Sequence, residues 1–321
     1  PEPPPRWLRP AREAPRDESG VVGQAGAGRR LGQAAADAYA LNSLEIEPLS
    51  FGETPTTFML AVARESRRGL YPRGFTGEQP YWTLVGVDGG GESGLMGEDG
   101  AIELSRGGPS IEPFVLDNGR LVTWADVNIT QSLADGDLPI PSVTWEGDGW
   151  TLKTTAFAEG GRRPPSIYGR YDLTNISDRP RTLTLALAAR PFQVNGPSQF
   201  LTTPGGVAPI EGMTWQTHGV LPLVGGAAVR PIVAPDRYVA STFDAGSDPQ
   251  SLLASGRTSG RTVVDPTGLA SGAFVYEVTL APGETRTFGF MSPLTRGHLY
   301  VYDTQGSDDP AAFSRPRQAA T

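Results

Sequence analysis

The sequence predicts a mainly β protein, a sandwich of large antiparallel sheets with one or two short helices. Two observations predict this class. Of the 321 residues, 41 are glycine and 30 are proline, and only 19% are charged, which suits many short strands joined by turns. Residues 110–158 hold two consecutive hairpin patterns, whereas helix signals are confined to two short stretches. The chain is long enough to bury a core as one large β domain or two ordinary ones.

The ends of the chain differ in composition from its middle. Residues 1–32 are rich in Pro, Arg, Gly and Ala, so we expect residues 1–40 to be a flexible linker or tail. We expect one β-sandwich domain over residues 41–300 and a linker over residues 301–321 that leads to a further domain. Because the chain opens at Pro1 without Met, we also expect that a leader has been removed and that the protein is periplasmic or extracellular.

Two stretches carry helix signals. Thr54 is placed as an N-cap with Pro55 in the first turn, and Gly69 stands just beyond the expected end. A second, shorter helix is expected over residues 249–255, where Asp248 is the cap. Two short helices leave β structure dominant.

The two hairpins are the clearest β signals. In the first, Asn118 and Gly119 tolerate the positive φ of a tight turn. The second turns at residues 146–149, and residues 150–157 alternate between two faces. Residues 126–141, polar and containing two prolines, are expected to form a long irregular excursion that carries binding function. Further strands are expected at residues 41–51, 81–88, 101–104, 167–173, 181–189, 238–243, 273–280 and 285–291.

Composition excludes several functions. The net charge of −8 argues against a nucleic-acid partner, and the absence of cysteine excludes thiolate metal sites and thiol nucleophiles. No apolar run approaches the roughly 18 residues that a membrane span needs. His218 and His298 are the only imidazoles and lie in no metal-ligand spacing, so we expect neither metal nor cofactor. Serine-hydrolase and nucleotide-binding motifs are absent as well.

Carboxylates are the plentiful catalytic candidates. A glycosidase needs two of them about 5 Å apart for retention, or about 6.5 to 9.5 Å apart for inversion. Asp126 stands out because it follows Trp124 closely and so places a polar acceptor near a flat aromatic face. The remaining candidates occupy turns or strand ends, where carboxylates are common for backbone reasons; they are Glu98, Asp99, Glu112, Asp135 and Asp137.

Two polar and aromatic groups fit a pyranose ring, whose C–H faces are apolar and whose hydroxyls seek polar partners. The first combines Trp124 with Asp126 and Gln131, and the second combines Arg190 with Gln193 and Asn195. Trp150, by contrast, is expected in the core. His218 could serve as the acid of a mutarotase-like site, although the end of a surface strand is its more usual place.

Three segments resemble a group of large bacterial proteins known as discoidin-domain (coagulation factor 5/8 type C) proteins. They are YPRGFTGEQPYWTLVGVDGG (71–90), IEPFVLDNGRLVTWADVNITQSLADGDLPIPSVTW (111–145) and ARPFQVNGPSQFLTTPGGVAPI (189–210), within a likeness that covers residues 43–294. The resemblance implies a galactose mutarotase-like β-supersandwich that precedes an (α/α)6 barrel similar to those of glucoamylases and cellobiose phosphorylases. It also implies that the general acid and base lie in that barrel, outside this chain.

Three functions remain open from the sequence. The first is an accessory β-sandwich of a glycoside hydrolase or phosphorylase, with no catalytic residue of its own, whose partners are the helical barrel and an oligo- or polysaccharide. The second is a self-sufficient sugar-active enzyme, which would be a hydrolase using Asp126 or a mutarotase-like isomerase using His218. The third is a glycan-binding module built on Trp124, Asp126 and Gln131.

Overall fold

The computed structural model describes residues 54–160, 165–197, 205–216, 221–224, 227–254 and 262–294. Within these ranges two short α-helices, α1 (Pro55–Glu65) and α2 (Pro249–Ala254), accompany two large sheets. The strands are β1 Trp82–Gly86, β2 Ser93–Gly97, β3 Ile102–Glu103, β4 Ser110–Asp117, β5 Arg120–Val122, β6 Asn128–Ala134, β7 Leu138–Glu146, β8 Trp150–Glu159, β9 Ser166–Asn175, β10 Arg181–Arg190, β11 Gly212–Thr214, β12 Leu221–Val224, β13 Ala227–Pro231, β14 Arg237–Ser241, β15 Thr262–Val264, β16 Ser271–Leu280 and β17 Thr285–Pro293.

The strands of the described ranges form an eight-stranded and a nine-stranded sheet. The first has the order β1-β2-β3-β4-β10-β16-β14, with β5 paired to β4, and the second has the order β15-β11-β12-β13-β17-β9-β8-β7-β6. Every pairing between these strands is antiparallel. The protein is therefore the mainly antiparallel β-sandwich, with two short helices, that the sequence predicts.

The main core lies between the two sheets. Trp150 and Leu152 of β8 pack in one buried cluster with Leu185 of β10 and Phe274 of β16. In β8 these buried side chains alternate with exposed or half-buried ones such as Lys153, because successive residues of a strand point to opposite faces. The prediction that Trp150 belongs to the core is confirmed.

A second core covers the outer face of the eight-stranded sheet. Met59 and Ala63 of α1 and Leu252 of α2 share a buried cluster with Ala186 of β10 and Val275 of β16. The eight-stranded sheet is consequently apolar on both faces. Its strand β10 accordingly ends in an unbroken run of buried residues.

Helix α1 begins where the sequence predicts. The Thr54 hydroxyl accepts a hydrogen bond from the Thr57 amide, and the Thr57 hydroxyl accepts one from the Thr54 amide, which makes a reciprocal cap. The helix ends at Glu65, before the predicted stop at Gly69, whose φ is +95°. In α2 the Asp248 carboxylate accepts hydrogen bonds from two backbone amides of the first turn, as predicted for a cap.

The prediction of a long irregular excursion over residues 126–141 is wrong. Most of it is a regular hairpin in which β6 pairs with β7, with one register shift between Leu133 and Ala134. Asp135 and Gly136 both have positive φ (+51° and +87°), so they form the same kind of tight turn as Asn118 in the first hairpin. Pro139 and Pro141 precede Ser142, where the pairing of β7 with β8 begins, so this part of β7 pairs only with β6. A proline has no amide to donate and is tolerated where a strand has a neighbour on one side only.

Some predictions fall on residues that the structure does not describe. These are the strand at residues 41–51, the tail at residues 1–40, the linker at residues 301–321, and both histidines, His218 and His298. Within the described part of the chain, no helix is long and apolar enough to cross a membrane.

Candidate functional site

The candidate site is a shallow cleft near the start of β4 and the end of β10. Its polar and aromatic side chains come from three connections between secondary-structure elements and from the start of β4. They are Arg73, Tyr81, Glu98, Asp99, Ser110 and Gln193. The cleft has room for roughly one water molecule. It is therefore too small to enclose a sugar ring, although its rim is open to solvent.

Beneath the cleft lies a buried ion pair between the first residues of β4 and the last of β10. The Arg190 Nη1 atom donates to Glu112 Oε2 at 2.9 Å and to the Leu70 carbonyl at 2.8 Å, and Ser110 Oγ donates to Glu112 Oε1 at 3.3 Å. Arg190 is 1% exposed and Glu112 is 5% exposed. Burial raises the pKa of Glu112, and the Arg190 guanidinium opposes that shift.

Aromatic rings surround the Arg190 guanidinium. Its central carbon lies 4.6 Å from the centroid of the Phe192 ring, 5.2 Å from that of Tyr71 and 5.8 Å from that of Phe114. Arg190, predicted to bind sugar, is thus enclosed within the protein. Its hydrogen bonds connect β10 to β4 and to the segment after α1. It presents no donor to solvent.

A second buried carboxylate, Glu103 of β3, holds two loops together. It accepts hydrogen bonds from the backbone amides of Gly107 (2.7 Å), Val194 (2.9 Å) and Asn195 (3.4 Å). Burial raises the pKa of Glu103 to about 7, against the lowering effect of these three donors. Its oxygens thereby fix the chain that leaves β10 beside the cleft.

Asp99 occupies the turn between β2 and β3. Its Oδ1 accepts a hydrogen bond from the Ala101 amide, and burial raises the pKa of its carboxyl. Its carbonyl accepts the indole N–H of Trp145 at 2.9 Å. This carboxyl shapes the turn, and its burial disfavours the charged form.

Arg73 links the cleft to Trp124. It pairs with Glu98 (3.1 Å) and Glu78 (3.0 Å), and its guanidinium carbon lies 4.4 Å from the centroid of the Trp124 ring. Arg68 pairs with the same Glu78 and lies 4.5 Å from that ring. The hydrogen bond from Arg68 holds the pKa of Glu78 below its usual value.

Trp124, predicted as a sugar-stacking platform, is 5% exposed. Its indole N–H donates to the Tyr71 carbonyl at 3.2 Å, and the two guanidinium groups of Arg68 and Arg73 lie over its ring. In this structure the ring packs against the protein and offers little surface to a sugar.

Asp126, the predicted catalytic carboxylate, caps a short 3₁₀ turn. Its Oδ2 accepts hydrogen bonds from the amide and hydroxyl of Thr123 and pairs with Arg67, and Arg120 lies 3.5 Å from its Oδ1. Partial burial raises its pKa, but the Thr123 hydrogen bonds and Arg67 outweigh this, so the pKa is lowered. A general acid needs the opposite shift.

The two predicted glutamine contacts lie apart. Gln193 is at the cleft rim, where its side-chain amide donates to the Gly107 carbonyl at 3.0 Å. Gln131 is exposed on β6, the edge strand of the nine-stranded sheet. The structure thus brings Trp124, Arg190 and Gln193 to one end of the sandwich, with Asp126 beside them, but it leaves Gln131 in the other sheet.

The sequence analysis did not identify Tyr81 as a residue of the site, and it did not predict the ion pair of Glu98 with Arg73. Tyr81 precedes β1 and is 66% exposed, which is unusual for a large aromatic residue beside a cleft. Pro80 favours an extended conformation at Gln79, but no local pattern indicates that the Tyr81 ring is exposed. Among the described residues no cluster of acidic or imidazole groups could hold a metal ion.

Comparisons with known proteins give matches only among solved structures. No family model and no curated protein matches the chain. A candidate kojibiose phosphorylase from the human microbiome is 9% identical, with a TM-score of 0.33, and the match covers 63% of this chain and 23% of that one. For a bacterial glucoamylase the identity is 12%, the TM-score 0.43 and the coverage 65% and 31%.

A candidate aldose 1-epimerase from Escherichia coli K12 is 10% identical, with a TM-score of 0.37 and coverage of 67% of this chain and 99% of that one. The matched region spans less than a third of the phosphorylase and of the glucoamylase. All three neighbours are named for action on sugars. Because the scores and identities are this low, no activity passes from them to this chain.

Proposed function

We propose that this chain is the accessory β-sandwich portion of a carbohydrate-active enzyme, a glycoside hydrolase or phosphorylase whose catalytic residues lie in a separate helical barrel. The sandwich supplies a rigid flank for the barrel and contacts the glycan. The barrel, on the same polypeptide or on another chain, is the partner, and an oligo- or polysaccharide is the ligand. In this proposal the enzyme acts in the periplasm or outside the cell.

One observation carries the proposal. The charged side chains predicted to bind sugar instead form ion pairs that connect strands and turns of the protein itself. Arg190 joins β10 to Glu112 of β4, and Asp126 joins its turn to Arg67 after α1. A catalytic carboxylate needs a shifted pKa together with access to a substrate. Glu103 and Glu112 have raised pKa values but are buried, whereas Asp126, which is less buried, has a lowered one.

The resemblance of residues 71–90, 111–145 and 189–210 to the discoidin-domain group supports the same assignment. In that group the sandwich is followed by the helical barrel that carries the acid and base. Membership of the group is part of the proposal, as is the likeness of the sandwich to the galactose mutarotase supersandwich.

The experiment compares two proteins on one panel of glycans, each with and without inorganic phosphate. The first protein is this chain alone, and the second is the longer protein in which a helical barrel is joined to it. We expect sugar release only from the longer protein. Release by the chain alone would overturn the proposal and would favour the self-sufficient enzyme. Release by neither protein would overturn the assignment to hydrolysis or phosphorolysis.

A further inference from the structure

We propose that the rim of the cleft is a subsite for a neutral glycan, in which one pyranose ring stacks on Tyr81 while its hydroxyls bond to Glu98 and Gln193. This inference deepens the proposed function and rests on it for the class of ligand. It assigns a binding role to Tyr81, which the sequence analysis places only at the start of a strand.

Tyr81 has the exposure and the fixed position that a stacking platform needs. It is 66% exposed, and its carbonyl accepts a hydrogen bond from the Glu98 amide at 3.0 Å. The next residue, Trp82, begins β1 and pairs with Gly97 of β2. The backbone of Tyr81 is therefore held at the cleft rim by its bond to Glu98 and by the adjoining pair of Trp82 and Gly97, so little backbone freedom is lost when a ring binds.

Hydroxyl partners stand beside the ring. The Glu98 side chain is 19% exposed and is held at 3.1 Å from Arg73, so its second oxygen can accept from a sugar hydroxyl. Gln193 uses one amide hydrogen on the Gly107 carbonyl, which leaves its carbonyl oxygen and its other hydrogen for a ligand. An aromatic face flanked by such groups matches a pyranose, which has apolar C–H faces and a polar periphery.

The charges at the rim favour a neutral glycan over a uronic acid polymer. Arg73, the cation of the cleft, is already paired with Glu98 and Glu78. A sugar carboxylate would meet the Glu98 carboxylate, and no unpaired cation among the cleft residues would balance the two charges. Like charges at short range repel.

The shape of the cleft indicates how the glycan lies. Because the interior holds roughly one water molecule, the ring rests on the rim and does not enter. Such a surface contact binds one unit of a longer chain weakly, with a Kd of about 1 mM. The subsite therefore suits an oligosaccharide that extends across the sandwich, and it does not suit a free monosaccharide.

The test is calorimetric titration of the full chain with maltohexaose, cellohexaose, xylohexaose and mannohexaose, and with an oligogalacturonate of the same length. We expect at least one neutral probe to bind and the oligogalacturonate not to bind. Tyr81→Ala should weaken binding about tenfold, and Tyr81→Phe, which keeps the ring, should stay within about threefold. Leu84→Ala is the matched control, because Leu84 is 58% exposed in the neighbouring strand β1, and it should leave affinity unchanged.

Three results would overturn the subsite: no binding of any neutral probe, equal loss in Tyr81→Ala and Leu84→Ala, or preference for the oligogalacturonate. None of these would by itself remove the proposed function, because sugar release by the longer protein does not require Tyr81. Conversely, binding that depends on Tyr81 without release by the longer protein would retain the subsite and identify the chain as a glycan-binding module.

Discussion

The outer faces of the two sheets differ in chemistry. On the eight-stranded sheet, Ala186 and Val275 are covered by α1 and α2. On the nine-stranded sheet, the corresponding positions are hydroxyl-bearing and charged, and several bond across strands: Ser142 with Thr155 at 2.8 Å, and the Thr287 hydroxyl to Asp172 at 2.6 Å. An apolar patch on that face, where the rings of Phe157 and Tyr168 stack at 5.1 Å, is an exception to this pattern.

The difference shows where charge contributes most to structure. At the end of the eight-stranded sheet the paired side chains of Arg190 and Glu112 are 1% and 6% exposed. On the nine-stranded sheet the pair of Arg170 and Asp172 has side chains 31% and 17% exposed. Water screens the second pair and stabilises either partner alone, whereas loss of one partner from the first leaves a buried charge. Equivalent substitutions should therefore have unequal effects.

The largest effect is expected for Glu112→Ala. Removal of this carboxylate leaves the Arg190 guanidinium buried without its counter-ion, which should lower the free energy of unfolding by about 3 to 5 kcal/mol. Urea denaturation at neutral pH measures the change. Replacement of both partners, Glu112→Leu with Arg190→Met, should recover most of the loss. A cost below about 1 kcal/mol for Glu112→Ala would show that the pair is not buried as described.

The next effect is a pH dependence that Glu103 imposes on the eight-stranded sheet. Its pKa is raised from 4.5 to about 7 in the folded protein, so folding takes up a proton between these values. The contribution of Glu103 to stability should be full below about pH 4.5 and should fall by about 3 kcal/mol as the pH rises to about 7. Urea denaturation across this interval should show the fall, and Glu103→Gln should reduce it. A steeper fall in Glu103→Gln would contradict this assignment.

A smaller effect is expected for Asp172→Ala on the nine-stranded sheet. The carboxylate pairs with Arg170 at 2.9 Å and accepts the Thr287 hydroxyl, but solvent reaches both partners. We expect a loss of at most about 1 kcal/mol, measured in the same urea series. A loss equal to that of Glu112→Ala would remove the contrast between the two sheets.

The smallest effect is expected for Tyr171→Phe, inside the sandwich. The Tyr171 side chain is fully buried, and its hydroxyl has no hydrogen-bond partner among the residues that the structure describes. Removal of the hydroxyl therefore breaks no bond and relieves a desolvation cost, so stability should stay within about 0.5 kcal/mol or rise. Thermal unfolding checks this outcome, and a loss above about 1 kcal/mol would indicate a bridging water.

The sequence predicts the local parts of this fold well. Asn118 and Gly119 predict the first tight turn, Thr54 predicts the start of α1, and the alternation over residues 150–157 predicts which side of β8 is buried. Each of these signals lies within a few neighbouring residues. The hairpin over residues 126–141 carries the same kind of signal at Asp135-Gly136, but the two prolines suggested a loop.

The site was harder to predict because its contacts are distant in sequence. From the sequence, Arg190 is predicted to bind sugar together with the nearby Gln193. Its actual partner, Glu112, lies 78 positions earlier, and no local sequence pattern connects the two residues. Asp126 is different, because Thr123-Trp124-Ala125-Asp126 has the spacing of a capping box, which favours a structural role over a catalytic one. The short strands β11, β12, β13 and β15 were missed, since three to five residues give too little alternation.

One measurement tests most directly whether the sandwich serves as scaffold while the chemistry lies elsewhere. Purified chain, shown by circular dichroism to be folded, is incubated with neutral oligosaccharides, and released sugar and anomer interconversion are followed by NMR. The account predicts the same spectra with and without the protein. Turnover that disappears in Asp126→Asn or His218→Ala would contradict it and would place an active site within this chain.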